Sequence, residues 1–403
     1  MKRKILFAVL ILIIALVGCK NKENKNNGAE SEVTKQTETS NKDEENKKNG
    51  TESETTKQTE TSNKDEEYRE VVDQAGRTVK VPKDPKRVVI TFWPMGSAYT
   101  LFQGSAETIV GMDPAMVSVA KNSLLTRIDP NVANVDSSFI NADGVINEES
   151  LMKLNPDLAL IPAYATDQLE IFEKLGVPTI VFDVTVEDFN TVETFMSWVD
   201  LLGKAFGKES KATAIREYGE NTLKEIAERT KNLSEADKPK ALLLISYDEA
   251  GKSTSGEKQF ARFELESTGA IHVARDVKEN FIKLDMEQIY EWNPDIIYLS
   301  TFTAYKPEDL YNNTAAANDD WSQVKAVKNK NVHKFPIGIF HWYPPSADAP
   351  LALLWLAKNN NPDLFKDVDL SKRIKDYYKD LYEIDLSDAD IDYIFNPSSE
   401  VAN

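Results

Sequence analysis

The sequence predicts an α/β protein of two lobes, each with a mainly parallel sheet, joined by a single long α-helix, with a cleft between the lobes. Three observations carry this. Short apolar strands alternate with helical segments in two separate runs. A long helical stretch divides the runs. Each run also contains the same device, an Asn-Pro-Asp triplet that stops a short helix and starts a buried strand.

The chain begins with a basic segment, Met1-Lys2-Arg3-Lys4, and an uncharged apolar run from Ile5 to Val17. The run is shorter than the roughly 20 residues a membrane-spanning helix needs, so residues 1–18 read as a secretory signal. The run closes on Leu16-Val17-Gly18-Cys19, and Cys19 is the sole cysteine of the chain. Residues 19–67 then form a low-complexity tether of Lys, Glu, Asn, Thr and Ser. Glu30 to Glu45 recurs as Glu52 to Glu67, with Val33 against Thr55 as the one difference. Such a composition cannot bury enough surface to offset chain entropy, and neither copy offers an apolar face to stack as a solenoid. A disordered chain of this length reaches roughly 40 Å.

The whole chain carries 48 basic and 66 acidic residues, a net charge of −18. Residues 1–67 hold 12 and 13 of these, which leaves 36 and 53 on the body, a net −17. A body this acidic argues against nucleic acid or an anionic membrane surface as its main partner. With one cysteine and three histidines, His272, His333 and His341, a closed zinc site is not expected, and no cofactor is.

The N-terminal lobe is read over 68–207. Alternation around Ala75-Gly76 predicts a hairpin from Val71 to Val81. Arg87–Phe92 reads as a buried strand, Ser97–Gly104 as a helix and Thr108–Met112 as the next strand. Glu148–Asn155 is a short helix ended by Pro156; strand 158–161, helix 168–175 and strand 179–184 follow. Val186–Phe206 and Glu209–Leu233 are helical, and the second forms the inter-lobe segment, 208–237. A helix of roughly 25 residues spans about 37 Å, longer than a crossover in one compact domain requires.

The C-terminal lobe, 238–403, restarts the alternation. Strands are expected at 241–246, 271–274, 295–300 and 331–335. Helices are expected at 258–269, 285–292, 321–327, 349–359 and 372–382.

The body resembles the substrate-binding lipoproteins of ABC importers for iron chelates, haem and cobalamin, the helical-backbone class III periplasmic binding proteins. The likeness rests on Asp73-Gln74-Ala75-Gly76-Arg77-Thr78-Val79, Pro85-Lys86-Arg87-Val88-Val89, Thr108-Ile109-Val110-Gly111, both Asn-Pro-Asp segments, and Trp321 to Asn329 with Val332. It covers about Tyr68 to the C-terminal helices; no motif is specific alone, but their order behind Leu16-Val17-Gly18-Cys19, which resembles a lipobox, is. The resemblance implies two Rossmann-like lobes and a monomer. It also implies acylation of Cys19, anchorage at the extracytoplasmic face of a membrane, a permease and an ATPase as partners, and a metal chelate, foremost a ferric siderophore, as ligand. Haem, cobalamin and nickel chelates remain within that class. Family members dock through one exposed glutamate per lobe; in the first lobe it falls near Ser97-Ala98-Tyr99, where no acid stands.

Ligands of open α/β sheets bind outside the carboxyl ends of the strands. That rule selects Trp93–Gly96, Asp113–Met116 and Ala163–Thr166 in the first lobe. In the second it selects Tyr247–Arg262, Thr301–Tyr305 and Gly338–Pro345. Phe340-His341-Trp342-Tyr343-Pro344-Pro345 has the densest rings, suited to stacking on a planar ligand, with His341 as donor or metal ligand. Trp93, Met95 and Tyr99 are expected to face it, and Tyr164 and Tyr305 stand in flanking loops. Arg127 and Arg262 are candidates to pair with an anionic chelate. His272 and His333, on predicted strands, read as structural. The other class of function is a lipid-anchored hydrolase. The chain has no Gly-x-Ser-x-Gly elbow, HExxH helix or Walker loop to support it.

Overall fold

The computed structural model describes residues 67–397. The signal segment, Cys19 and all of the tether but Glu67 lie outside the described residues. The first lobe opens with an antiparallel hairpin, β1 (Tyr68–Val72) and β2 (Thr78–Pro82). Then come β3 (Val88–Ile90), α1 (Met95–Gln103), β4 (Ile109–Met112), α2 (Pro114–Lys121) and α3 (Leu125–Ile128). α4 (Glu148–Leu154), β5 (Leu158–Pro162), α5 (Thr166–Lys174) and β6 (Thr179–Phe182) complete it. The strands pair in parallel in the order β4-β3-β5-β6.

Two long helices follow, α6 (Thr191–Phe206) and α7 (Glu209–Thr230). The helix expected from Val186 starts instead at Thr191. Glu187, Asp188 and Phe189 take positive φ, and Asn190 caps the helix by accepting the Glu193 amide at 3.0 Å. The linking element is therefore a helix pair that turns at Gly207. At 22 residues α7 is about 33 Å long. Arg216 of α7 ties the pair together by bonding Glu193 at 2.9 Å and Asp200 at 2.6 Å, both on α6. The helices approach closely at Gly219, where a Cβ would stand 2.6 Å from the Met196 methyl.

The second lobe contains β7 (Lys240–Leu244), β8 (Ser246–Asp248), β9 (Gly251–Thr254), α8 (Phe260–Ser267), β10 (Ile271–His272), β11 (Ile282–Leu284) and α9 (Met286–Trp292). β12 (Ile296–Leu299), α10 (Pro307–Tyr311), α11 (Lys325–Lys328) and β13 (Val332–Lys334) follow. Helices α12 (Ala349–Asn360), α13 (Leu370–Tyr382) and α14 (Asp388–Phe395) close the described chain. The parallel sheet runs β10-β7-β12-β13. A small antiparallel sheet, β11-β9-β8, is added beside it. The helix expected at 321–327 shrinks to four residues, because Trp321 is used as a fully buried core anchor instead.

Both parallel sheets thus have one order. The chain starts on an inner strand, steps one way, then returns to the other side. The reversal falls between β3 and β5 in the first lobe and between β7 and β12 in the second. In doubly wound sheets the ligand crevice opens at that reversal, at the carboxyl ends of the strands.

Candidate functional site

In the first lobe, β3 runs into Thr91-Phe92-Trp93, β4 into Asp113 and β5 into Ala163-Tyr164, so all three loops leave one end of the sheet. The Trp93 indole N–H donates to Asp113 Oδ1 at 3.2 Å. The same oxygen accepts the Ala115 amide at 2.8 Å and so caps α2. Trp93, Asp113 and Tyr164 are all half-buried. Burial pushes the Asp113 carboxyl up to about 6. Burial, helped by the Asp113 charge, pushes the Tyr164 phenol up as well. At the reversal itself, Thr91 Oγ1 donates to Gln168 Oε1 at 2.6 Å, and Gln168 Nε2 donates to the Gly144 carbonyl at 3.0 Å. The result is a ring, a carboxyl and a phenol on a braced floor. It can stack on a planar solute and hold a positive centre.

The second lobe is different. Its ring-rich loop is packed inward: Phe340, His341 and Trp342 are 0 % exposed and Tyr343 is 1 % exposed. Asp348, itself buried, draws the loop down. It accepts the Ile339 amide at 3.1 Å and the Tyr378 hydroxyl at 2.5 Å. Burial holds its carboxyl up at about 6. His341 Nδ1 lies 2.5 Å from Thr301 Oγ1, and the Phe302 ring is 4.3 Å away. Burial, and then the Lys334 charge, pull the imidazole down to about 3, so it is neutral at pH 7. Its Nε2 has no hydrogen-bond partner among the described residues. Among those residues no group of three or more His, Cys, Asp or Glu side chains could hold a metal ion.

The other residues singled out from the sequence fall into separate places. Met95 is fully buried, and Tyr99, 1 % exposed, bonds Thr108 Oγ1 at 2.9 Å, so both belong to the core of the first lobe. Arg127 pairs with Asp390 at 3.1 Å and lies 4.1 Å above the Tyr393 ring. Arg262 pairs with Glu266 at 3.2 Å and Glu257 at 3.7 Å. Tyr305 packs on Tyr247 at 4.6 Å. Trp93 and Tyr164 both border Asp113, Trp93 through its hydrogen bond and Tyr164 near enough to feel the carboxylate charge. His272 is buried on β10, 2.7 Å from the Ser255 carbonyl, and His333 sits on β13. Sequence reasoning selected the Asp113–Met116 loop without singling out Asp113 within it, and passed over Gln168. A strand followed by Asp-Pro marks a helix cap at a sheet's carboxyl end, and that signal could have found Asp113.

The lobes touch on two sides, and α12 also packs against α6. On one side the Leu124 amide donates to the Gly338 carbonyl at 2.8 Å, beside the Arg127–Asp390 pair. On the other, the Phe189 and Phe260 rings pack edge to face at 5.4 Å. There Thr191 Oγ1 of α6 also donates to Glu264 Oε1 of α8 at 2.9 Å. Glu264 is fully buried, and burial pushes its carboxyl well above the usual range.

Two parallel α/β lobes, bridged by a long helix pair and sharing one strand order, have the architecture of a two-lobed solute-binding protein. Residues 98–336, more than half of the chain, match the periplasmic binding protein family, and the chain belongs to it. That family membership sets aside the hydrolase reading; the protein is the solute-binding component of an ABC transporter and works outside the cytoplasm. A periplasmic solute binding protein of Veillonella parvula superposes with a TM-score of 0.75 at 30 % identity, covering 82 % of this chain and 97 % of that one. The molybdate-binding protein MolA of Haemophilus influenzae is 24 % identical over 334 residues, 78 % of this chain and 91 % of its own. The ABC transporter substrate-binding lipoprotein YvrC of Bacillus subtilis is 24 % identical over 265 residues, 65 % of this chain and 76 % of its own.

Proposed function

We propose that the protein is anchored through Cys19 at the outer face of a membrane, captures a metal chelate, foremost a ferric siderophore, and delivers it to a permease. The observation that carries this reading is the half-buried Trp93–Asp113–Tyr164 group at the strand reversal. Its aromatic faces suit a planar organic shell, and its carboxyl suits a metal-centred positive charge. The body divides into a first lobe (68–207) that ends in α6, an inter-lobe segment (208–237) carrying α7, the second helix of the bridging pair, and a second lobe (238–403), with the solute between the lobes. The lipobox-like stretch ending at Cys19, and the lipoprotein relative, support the anchor.

A second reading is a bare oxyanion, since MolA is named for molybdate. Against it, the carboxylates of Asp390, Glu257 and Glu266 already occupy Arg127 and Arg262. A naked anion needs such forks free.

Titration of the protein with ferric chelates, nickel–histidine, haem, a corrinoid and molybdate, followed by tryptophan fluorescence, tests both. The expected result is saturable quenching by a ferric chelate that weakens at least about tenfold in Trp93→Ala, the loss of one buried aromatic contact. Response to molybdate alone would favour the oxyanion. Silence toward all five would sink the transport reading.

A further inference from the structure

The second lobe holds a cavity of about 410 Å³ built wholly from its own residues, lined by His333 and by part of the loop from Thr301 to Tyr305 among the residues weighed above. It lies at the carboxyl end of the edge strand β13, under the loop that follows β12. Lys334 forms its wall. The ammonium donates to the Thr303 carbonyl at 2.7 Å, to Thr303 Oγ1 at 2.6 Å and, more weakly, to the Tyr305 carbonyl at 3.3 Å. All three acceptors are neutral. Among the described residues no carboxylate forms an ion pair with this lysine, and Asp309 acts on it only from a distance. Burial, reinforced by Lys306, pulls the Lys334 ammonium down to about 7. Lys334 is half-buried; a partly desolvated cation without a counter-charge costs free energy, and an anion beside it relieves that.

The rest of the lining shows what kind of anion fits. Lys306 stands exposed at the rim, and Glu308, also exposed, is the one acid there. His333 bonds Asn331 Oδ1 at 2.8 Å through Nε2, and burial pulls its ring down to about 4, so it adds no charge at pH 7. Trp355 and Phe395 supply apolar walls. A volume of 410 Å³ lies within the range of small-molecule pockets, roughly 300–1,000 Å³. It far exceeds one water's share of liquid, about 30 Å³, so an inorganic ion would leave it mostly empty.

We propose that this cavity is a second binding site, for a small organic carboxylate whose planar or apolar body lies against Trp355 and whose charge meets Lys334 and Lys306. It is separate from the Trp93 group, and salicylate, used alone as the probe, reports on it whether or not any chelate binds. Salicylate is titrated into the full-length chain and followed by saturation-transfer NMR, with inorganic phosphate as the second probe. Saturable binding with a Kd of about 1 mM or tighter is expected. Lys334→Met should weaken it at least about tenfold, the loss of a half-buried positive charge beside the anion. Lys306→Gln, at an exposed position, should weaken it about threefold. If Lys334→Met does not fold by thermal melt, Lys306→Gln decides alone. Failure of salicylate to saturate, or unchanged affinity in the folded variants, overturns the site. Phosphate binding as tightly as salicylate overturns the organic class.

Discussion

Asp157 and Arg87 hold each other twice. The Asp157 amide donates to the Arg87 carbonyl at 2.9 Å, and the Arg87 amide donates to Asp157 Oδ1 at 2.9 Å. In the second lobe Asp295 and Lys240 repeat the arrangement, at 2.8 Å and 2.9 Å. Each aspartate follows the proline of an Asn-Pro-Asp triplet, and each asparagine ends its helix in the left-handed conformation, with φ of 44° at Asn155 and 42° at Asn293. The device locks the first inner strand of a lobe to the strand on the far side of the reversal.

Removing either carboxylate should therefore loosen one sheet. Asp157→Ala and Asp295→Ala are each expected to lower stability by about 1–3 kcal/mol, because a strand-end amide loses its partner. The two lie in different lobes, so their effects on the urea midpoint should add. Strong non-additivity would show that the two strand ends are coupled through the core that the lobes share.

The ring-rich loop depends on a position with no room for a side chain. A Cβ at Gly338 would lie 2.1 Å from Asp348 Oδ2 and 3.0 Å from the Trp342 indole nitrogen. Gly338→Ala should cost about 1–3 kcal/mol by overpacking. Loss of near-ultraviolet circular dichroism from the rings would locate the change. A wild-type spectrum and melt would mean that Asp348 does not pin this loop.

Glu264 gives a pH dependence of known sign. Burial raises its carboxyl well above its unfolded value of 4.5, so the folded state holds the proton more tightly than the unfolded one. This contribution is fully present below 4.5 and is lost as pH climbs from there toward the raised value. Glu264→Gln keeps an acceptor for Thr191 and removes the titration. Between pH 5 and pH 8 the variant's melting temperature should fall less than the wild type's. Parallel curves would contradict a buried, proton-binding Glu264.

Asp113 makes a matching statement about binding. Its carboxyl is raised to about 6, so it is largely protonated below that pH and charged above it. If it holds the positive centre of a chelate, affinity rises as pH passes upward through about 6, with proton release on binding. Asp113→Asn should flatten the profile. Affinity that falls over the same range would point to an anionic solute instead.

Local chemistry in the sequence settled the repeating frame: strand and helix alternation, the hairpin at Ala75-Gly76, the twin Asn-Pro-Asp stops and the long bridging helix. Each depends on residues within a few positions of one another, through periodicity, proline sterics and capping. What those residues meet was decided only by the tertiary structure. His341 and its neighbouring rings have the composition of a cleft wall but are drawn inward by Asp348 and Tyr378. Arg127 finds its acid 263 positions away at Asp390, and Trp93 meets Asp113 because the parallel sheet sets β3 beside β4. Burial and pairing are sums over contacts distant in the chain, and no local pattern carries them.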